Sequence, residues 1–333
     1  MTAAYRLETL PVDSVCLRGN RPGDPHRREL HLLVPDDAGT RPLPAIWMLP
    51  AHGGSQGGFL ANDPWREGLP QRLTRLAASG DLPPVIVALP DLFTRYGGSQ
   101  GLDSTATGLY ETHLWTELRP LLERHRPVTA HGVCGHSSGG YAALVQAMRH
   151  PELVSACGCH AGDMLFEHVY LPDFPKAAAR FRAEGGVERF VTAFSAAAKK
   201  QDGRWLSGIN VIAMAASYSP AESEALGFTL PFDPETCELR PEIWARWLAL
   251  DPVRMVEHPA ALKALSGLKA LFIDAGSRDE WNLQWGARAL TRRLRGANVP
   301  HTYEEFDDGH MGTAYRFDRS LPLLASALTG GVR

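Results

Sequence analysis

A Gly-x-Ser-x-Gly pentapeptide, set between a predicted strand and a predicted helix, is the feature that most constrains the fold of this 333-residue chain. Residues 129–134 form a short run typical of a buried strand, and a helical pattern starts at Gly139. Ser137 would lie at the apex of a sharp turn, where only small residues such as Gly135 and Gly139 fit on either side. Such a turn exposes a serine hydroxyl to substrate, so we predict that Ser137 is a catalytic nucleophile. The alternative is an ordinary Gly- and Ser-rich turn.

The rest of the chain alternates short apolar runs with helical patterns. Strands are predicted at residues 12–17, 29–34, 45–49, 85–89, 129–134, 154–160, 270–274 and 301–306. Helices are predicted at residues 65–79, 110–124, 139–150, 281–296 and 313–328. This alternation predicts an α/β fold with a doubly wound, mainly parallel sheet of eight strands, whose first two strands form an antiparallel hairpin at one edge.

One region breaks the alternation. Residues 162–267 contain no convincing strand, and amphipathic segments at 176–185, 186–200 and 240–250 are separated by proline and glycine residues, among them Gly203. We predict that residues 162–267 are a helical cap inserted into a core domain of residues 1–161 and 268–333. A separate C-terminal domain is the alternative, but the α/β alternation resumes after the insertion.

The composition of the chain limits the classes of partner that it is expected to bind. The formal net charge of −3 argues against nucleic acid or an anionic membrane as the main partner. No apolar run has the length of a membrane span, and no secretory signal is evident at the start, so a cytoplasmic location is expected. Cys157 and Cys159 alternate along one predicted strand, a spacing that favours core packing over metal binding, and we predict no metal site. The oligomeric state is left open, homo-oligomers included.

A serine nucleophile needs a base, and the base needs a group that orients it. His310 follows the last predicted strand in a loop flanked by glycines, so we predict that it is the base. Asp279 follows the strand at 270–274 and is predicted to be the acid; its alternative role is to cap the next helix. The chain order of serine, acid and histidine is the usual one in sheets of this kind. The competing carboxylates are Asp274, Glu280 and Asp163.

Attack on a carbonyl also needs donors for the developing oxyanion. The loop His52-Gly53-Gly54 follows the strand at 45–49, and we predict that Gly54 N–H and Ser138 N–H form the oxyanion hole. His52 is expected to orient this loop. The loop lacks the lysine and the glycine spacing of phosphate-binding loops, so phosphate binding is disfavoured.

A second loop, residues 91–100, follows the fourth predicted strand. Because ligands bind beyond the carboxyl ends of strands in open α/β sheets, Arg95, Tyr96 and Gln100 are candidate substrate-binding residues. An ordinary packed loop explains them equally well. Trp281 is a candidate for the pocket wall, although core packing is the more common role of such a tryptophan.

Together these motifs resemble the α/β-hydrolase fold and, within it, the esterase branch that includes esterase D (S-formylglutathione hydrolase), feruloyl esterases, enterochelin esterase and the mycolyltransferases. The resemblance is carried by His52-Gly53-Gly54, by the sequence around Ser137, by Gly276 to Glu280, and by Asp308-Gly309-His310. It covers residues 12–165 and 268–325 but not the insertion. It implies a Ser137–Asp279–His310 triad and an acyl-enzyme mechanism without a cofactor.

We therefore expect a serine hydrolase that cleaves small-molecule carboxylic esters. One alternative is an acyltransferase that uses the same three residues but passes the acyl group to an alcohol or amine. The other is a hydrolase-fold binding protein without catalytic activity. The sequence does not identify the acyl or the alcohol part of the substrate, because the insertion has no counterpart in the resemblance.

Overall fold

The computed structural model of the chain describes residues 4–330. Ten strands form within this range: β1 (Tyr5–Asp13), β2 (Arg27–Pro35), β3 (Leu43–Leu49), β4 (Ile86–Pro90), β5 (Asp103–Ser104), β6 (Gly108–Leu109), β7 (Val128–His136), β8 (Val154–His160), β9 (Ala270–Gly276) and β10 (Thr302–Phe306). β5 and β6 pair only with each other, as a small antiparallel ribbon, and the other eight strands form one sheet.

The strand order in this sheet is β1-β2-β4-β3-β7-β8-β9-β10. β2 is antiparallel to both β1 and β4, and all other neighbours are parallel. This confirms the predicted doubly wound, mainly parallel sheet with an antiparallel hairpin at its edge. The carboxyl ends of the parallel strands lie at one end of the sheet, so the loops that follow them can meet there.

Helices cover both faces of the sheet and fill most of the chain between β8 and β9. The α-helices span Gln56–Phe59, Leu69–Ala78, Tyr110–Thr112, Arg119–His125, Ser138–Arg149, Phe166–Val169, Phe174–Ala183, Val187–Ala196, Gly203–Tyr218, Pro241–Leu248, Pro252–Met255, Pro259–Ser266, Leu283–Gly296 and Phe317–Thr329. Short 3-10 helices span Leu171–Asp173 and Thr313–Arg316. Among residues 4–330, no helix is both long enough and apolar enough to cross a membrane.

The first strand is the one whose predicted bounds differ most from the structure. It was expected at residues 12–17 and lies at Tyr5–Asp13. The Glu117 carboxylate accepts hydrogen bonds from the Ser14 hydroxyl at 2.6 Å and from the Val15 N–H at 2.8 Å. The strand therefore ends at Asp13, and the Glu117 side chain binds the turn that follows it.

The five predicted flanking helices are present with shifted ends. The helix expected from residue 65 begins at Leu69, with Pro70 in its first turn. Proline suits that position because its missing N–H would have no partner within the helix. The helix expected at 110–124 is present but passes through a π-helical stretch at His113–Leu118.

The insertion contains a helix that was not predicted. Gly203–Tyr218 is 16 residues long and mostly buried, and it begins at Gly203, a residue predicted to separate two helical segments. The Asp202 side chain caps this helix by accepting a hydrogen bond from the Arg204 N–H at 3.1 Å. Since the helix is apolar on nearly all sides, its sequence lacks the amphipathic period by which helices are recognised.

Aromatic contacts join the insertion to the sheet. Tyr218 packs against Phe166 and Trp247, with ring centroids 5.2 and 5.3 Å apart, and against Tyr141 at 5.7 Å. Tyr141 belongs to the Ser138–Arg149 helix, which packs on β7 and β8. The aromatic core of the insertion is thus continuous with the helix that follows Ser137. Treating residues 162–267 as a separate cap stays a prediction.

Candidate active site

Ser137 lies in a strained turn between β7 and the Ser138–Arg149 helix. Its φ of 58° and ψ of −128° are unusual for a residue with a side chain. The turn is held because the Ser137 N–H donates to the His160 carbonyl oxygen at 2.8 Å. A Cβ atom on Gly139 would lie 2.1 Å from the Leu49 carbonyl oxygen, and one on Gly135 would lie 2.4 Å from Gly139. The flanking glycines are therefore a steric requirement of the turn.

Three side chains from separate loops meet at this turn. His310 Nε2 lies 3.0 Å from Ser137 Oγ, and His310 Nδ1 lies 2.7 Å from Asp279 Oδ2. His310 and Asp279 are both buried. Asp279 Oδ1 also accepts hydrogen bonds from the Trp281 N–H at 2.9 Å and from the Leu283 N–H at 3.5 Å. The helix begins at Leu283, so the carboxylate that faces His310 also bonds to the start of the next helix.

The competing carboxylates contact other groups. Glu280 Oε2 accepts from the His310 backbone N–H at 2.8 Å, so it holds the loop and not the ring. Asp274 Oδ1 lies 2.8 Å from His160 Nδ1. Asp163 Oδ2 accepts from the Ser138 hydroxyl at 3.2 Å. Of the four carboxylates considered, Asp279 is the one hydrogen-bonded to the His310 imidazole.

A second serine, histidine and aspartate set lies beneath the first. His160 Nε2 is 2.7 Å from Ser320 Oγ, and its Nδ1 faces Asp274. Burial alone would lower the pKa of His160, but the charge of Asp274 and its hydrogen bond raise that pKa to about 10. His160 is therefore cationic at neutral pH, and it forms a buried ion pair. Ser320 is fully buried, so it is not placed to meet a substrate.

Two rings pack against the His310 imidazole. The centroids of His136 and Trp281 lie 4.5 and 4.8 Å from that of His310. Burial, together with the neighbouring His310 and His160, lowers the pKa of His136 to about 3. His136 is thus neutral and can pack on His310 without repelling an imidazolium.

The two predicted oxyanion donors differ in whether their N–H groups already have a hydrogen-bond acceptor. Ser138 is the first residue of its helix, so its N–H has no acceptor within the helix. Gly54 N–H already donates to the Ala51 carbonyl oxygen at 2.9 Å, in a tight turn of the loop. The predicted role of Gly54 therefore does not match its present hydrogen bond. Burial lowers the pKa of His52, in the same loop, to about 4.

A cavity of about 880 Å³ opens over Ser137 and His310. Its inner wall includes Ser138, Asp163 and Trp281. Exposed apolar side chains border it as well: Trp65, Leu206, Met311 and Tyr315. The cavity is large enough for a drug-sized molecule.

Three predicted substrate-binding residues do not line this cavity. Arg95 is held away from it because its backbone N–H and Nε donate to the Asp24 carboxylate. Tyr96 is buried against Phe228 of the insertion, with centroids 6.2 Å apart. Gln100 is buried behind the cavity wall, where its amide contacts Asp163. Trp281 does line the cavity, as predicted for a pocket wall.

Sequence reasoning missed the part of the cavity that the insertion supplies. The lining residues from this region include Val169, Tyr170, Leu206 and Asn210. Leu206 and Asn210 lie on the Gly203–Tyr218 helix. They are four residues apart and so share one face of that helix. This spacing could predict a common cavity wall only if residues 203–218 were first recognised as a helix.

Solved structures similar to this chain share its fold. A ferulic acid esterase superimposes with a TM-score of 0.61 at 16% identity, covering 97% of this chain and 99% of that chain. An S-formylglutathione hydrolase from Agrobacterium tumefaciens has a TM-score of 0.58 at 15% identity, covering 98% and 97%. A substrate-bound, fluorophosphonate-binding serine hydrolase from Staphylococcus aureus has a TM-score of 0.56 at 13% identity, covering 97% and 99%. No curated protein matches the sequence.

The sheet order, the strained serine turn and these neighbours define a protein of the α/β-hydrolase fold. Residues 25–322 match the sequence profile of the family described as "Putative esterase", and the chain belongs to that family. It is an enzyme that acts on esters. The predicted resemblance to this esterase branch is thereby confirmed.

Proposed function

We propose that this esterase is a serine hydrolase that cleaves carboxylic esters through a covalent acyl-enzyme, with Ser137 as nucleophile, His310 as base and Asp279 as the group that orients His310. The observation that carries the proposal is the hydrogen-bonded chain from Asp279 Oδ2 through both ring nitrogens of His310 to Ser137 Oγ. These distances lie within the range in which a base can take the serine proton.

In the first half of the reaction, His310 Nε2 accepts the Ser137 proton as Oγ attacks the ester carbonyl carbon. Asp279 stabilises the imidazolium that forms. The Ser138 N–H donates to the oxyanion. Gly54 contributes as well if its N–H is shared between the oxyanion and Ala51. The C–O bond then breaks, the imidazolium protonates the leaving alcohol, and the acyl group stays on Ser137.

In the second half, water takes the place of the alcohol. His310 removes a proton from the water as it attacks the acyl carbon, and the oxyanion forms in the same position. When the intermediate collapses, the imidazolium returns its proton to Ser137 Oγ and the carboxylic acid leaves. Every proton passes through His310, so the cycle needs no cofactor.

The direct test is labelling with a fluorophosphonate, followed by hydrolysis of 4-nitrophenyl esters of increasing acyl length. We expect the reagent to modify Ser137, identified by peptide mass spectrometry, and Ser137→Ala to lower kcat by about 10⁴-fold or more. Ser326→Ala is the matched control, because it is the same substitution in the last helix at a residue that does not line the cavity. Labelling at a different residue, or near-full hydrolysis by Ser137→Ala free of contaminating enzyme, would contradict the assignment.

A further inference from the structure

A carboxylate that the proposed mechanism does not use lies in the wall of the catalytic cavity. Asp163 is 5% exposed and lines the same cavity as Ser137 and His310. It follows β8 by three residues, so it lies in a loop at the carboxyl end of the sheet. Its side chain therefore combines deep burial with access to bound substrate.

One oxygen of Asp163 is fully occupied. Oδ2 accepts hydrogen bonds from the Ser138 hydroxyl at 3.2 Å, the Gln100 amide at 3.2 Å and the Tyr170 hydroxyl at 2.9 Å. Tyr218 completes this network, because its hydroxyl accepts from Gln100 at 2.6 Å and lies 3.1 Å from that of Tyr170. All three donors to Oδ2 are neutral, and the network fixes the orientation of the carboxyl group.

The other oxygen is free within the described structure. Among residues 4–330, no group donates a hydrogen bond to Asp163 Oδ1, and no lysine or arginine forms a salt bridge with this carboxylate. Burial raises the pKa of Asp163, although the hydrogen bonds from Tyr170 and Gln100 and the charge of the nearby His310 oppose the rise. An unpaired carboxylate is costly inside a protein, so a cationic donor that enters the cavity would be bound strongly.

The other charged residues of the cavity do not supply this cation. Arg72 pairs with Asp318 and Glu67, and Arg66 lies at the exposed mouth. The cavity histidines His160 and His310 each face a carboxylate of their own, Asp274 and Asp279. An anionic substrate would bring a further negative charge next to Asp163 and the developing oxyanion. A substrate that carries a positive charge would instead offset Asp163 during attack.

We propose that Asp163 is a specificity-determining residue of this esterase, and that its free oxygen binds an ammonium group carried by the ester substrate. The inference rests on the proposed function, since it assigns a substrate class to the same cavity. An asparagine at this position would keep one oxygen for Ser138, Gln100 and Tyr170. What the carboxylate adds is a second oxygen with negative charge, directed at the substrate and not at the protein.

The test compares esters of equal shape that differ in charge. For the acyl side, 4-nitrophenyl 3-aminopropanoate is paired with 4-nitrophenyl butanoate; for the alcohol side, 2-(dimethylamino)ethyl butanoate is paired with 3-methylbutyl butanoate. At neutral pH we expect the wild-type enzyme to prefer the ammonium ester of at least one pair, by about 10- to 100-fold in kcat/KM, the range of a charge-assisted hydrogen bond. Equal or inverted preference in both pairs overturns the proposal, and this measurement needs no variant.

Two variants distinguish a role of Asp163 in substrate specificity from a role in supporting the fold. Asp163→Asn should abolish the preference for the ammonium ester while the neutral ester of the same pair is still hydrolysed. Tyr218→Phe removes one hydroxyl from the same network without touching Asp163, and it should keep the preference. If Asp163→Asn lowers kcat/KM equally for both esters of each pair, the residue only supports the fold and the proposal is wrong.

The proposed catalytic function is checked separately in the same samples. Hydrolysis of the neutral esters must be lost in Ser137→Ala whatever the charge preference is. Hydrolysis that depends on Ser137 but shows no charge preference rejects the role of Asp163 alone. Hydrolysis that does not depend on Ser137 rejects the proposed mechanism.

Discussion

The carboxylate of Glu280 holds the backbone of His310: Glu280 Oε2 accepts the His310 N–H at 2.8 Å. Asp279, the neighbouring residue in sequence, holds the imidazole of the same histidine. Two consecutive carboxylates thus fix the main chain and the ring of the proposed base. Gly309 makes this possible, since a Cβ atom there would lie 2.6 Å from Glu280 Oε1.

The first prediction concerns Glu280 as a positioning residue. Glu280→Ala should lower kcat by up to about 100-fold, because a displacement of about 1 Å at the base has an effect of that size. Glu280→Gln should restore most of the activity, since its amide oxygen can accept the same N–H. The measurement is kcat and KM for a neutral 4-nitrophenyl ester.

Asp307→Ala is the control for Glu280, because Asp307 lies on the same loop with its side chain exposed and paired with Arg278. It should leave kcat unchanged. Should Glu280→Ala retain wild-type kcat, or Glu280→Gln prove as impaired as Glu280→Ala, the positioning role would be excluded.

The second prediction separates the two aspartate–histidine pairs. Asp279→Asn should lower kcat by about 10⁴-fold with little loss of stability, because the amide no longer selects the imidazole tautomer that accepts the serine proton. Asp274→Asn should instead reduce the free energy of unfolding by about 3–5 kcal/mol, because it breaks the buried pair with His160. Steady-state kinetics and urea denaturation of both variants provide the comparison.

The two aspartates serve as controls for each other, since both contact a buried histidine that lines the same cavity. A large loss of kcat in a stable Asp274→Asn enzyme, together with an active Asp279→Asn enzyme, would reverse the assignment. Asp274 would then have to act on catalysis through His160.

The third prediction is a pH dependence of stability that comes from His160. Its pKa in the folded protein is about 10, against about 6.5 for an unfolded histidine. Between these values the folded state binds the extra proton, so the free energy of unfolding falls as pH rises. The contribution is complete below about pH 6.5 and is lost as pH passes through 10.

Urea denaturation of the wild-type protein and of His160→Gln between neutral pH and about pH 10 tests this sign. Other groups titrate in the same range, so the informative quantity is the difference between the two proteins. That difference should shrink as pH rises. A constant difference would mean that His160 is neutral in the folded protein. The titratable and polar groups around its ring are Asp274, Ser320, Cys134 and His136, with Arg316 bonded to the far oxygen of Asp274.

The loops of the candidate site could be located from sequence because their signals are local. Glycines flank Ser137 and precede His310 in the sequence. The structure shows why: a Cβ atom on Gly135, Gly139 or Gly309 would overlap with neighbouring atoms. Strand order among parallel strands then brings the loops after β7, β9 and β10 together. What these signals cannot show is which carboxylate reaches which ring, because that depends on tertiary contacts.

The cavity wall was predicted less well, for a physical reason. Arg95 and Gln100 have the polar side chains expected of binding residues, but their partners, Asp24 and Asp163, are distant in sequence. No local sequence pattern shows that these two carboxylates accept the hydrogen bonds of Arg95 and Gln100. The Gly203–Tyr218 helix was missed because burial on nearly every side removes the polar face that marks a helix.

The last prediction tests how this helix packs. A Cβ atom on Gly208 would lie 2.4 Å from the ring of Phe190, which is fully buried, whereas one on Gly203 would meet nothing within 4 Å. Gly208→Ala should therefore lower the free energy of unfolding by about 1–3 kcal/mol, as added volume in a packed core does. Gly203→Ala is the matched control in the same helix. It should be neutral or stabilising by up to about 1 kcal/mol, because alanine favours the helix.

Urea denaturation of the two variants gives the stability difference, and KM for a long-chain ester shows whether the cavity is affected. Gly208 lies between Leu206 and Asn210, which line the cavity. A helix pushed away from Phe190 should therefore raise KM more than it lowers kcat. If Gly208→Ala is as stable as Gly203→Ala, the helix can move without cost, and it does not form a fixed wall of the cavity.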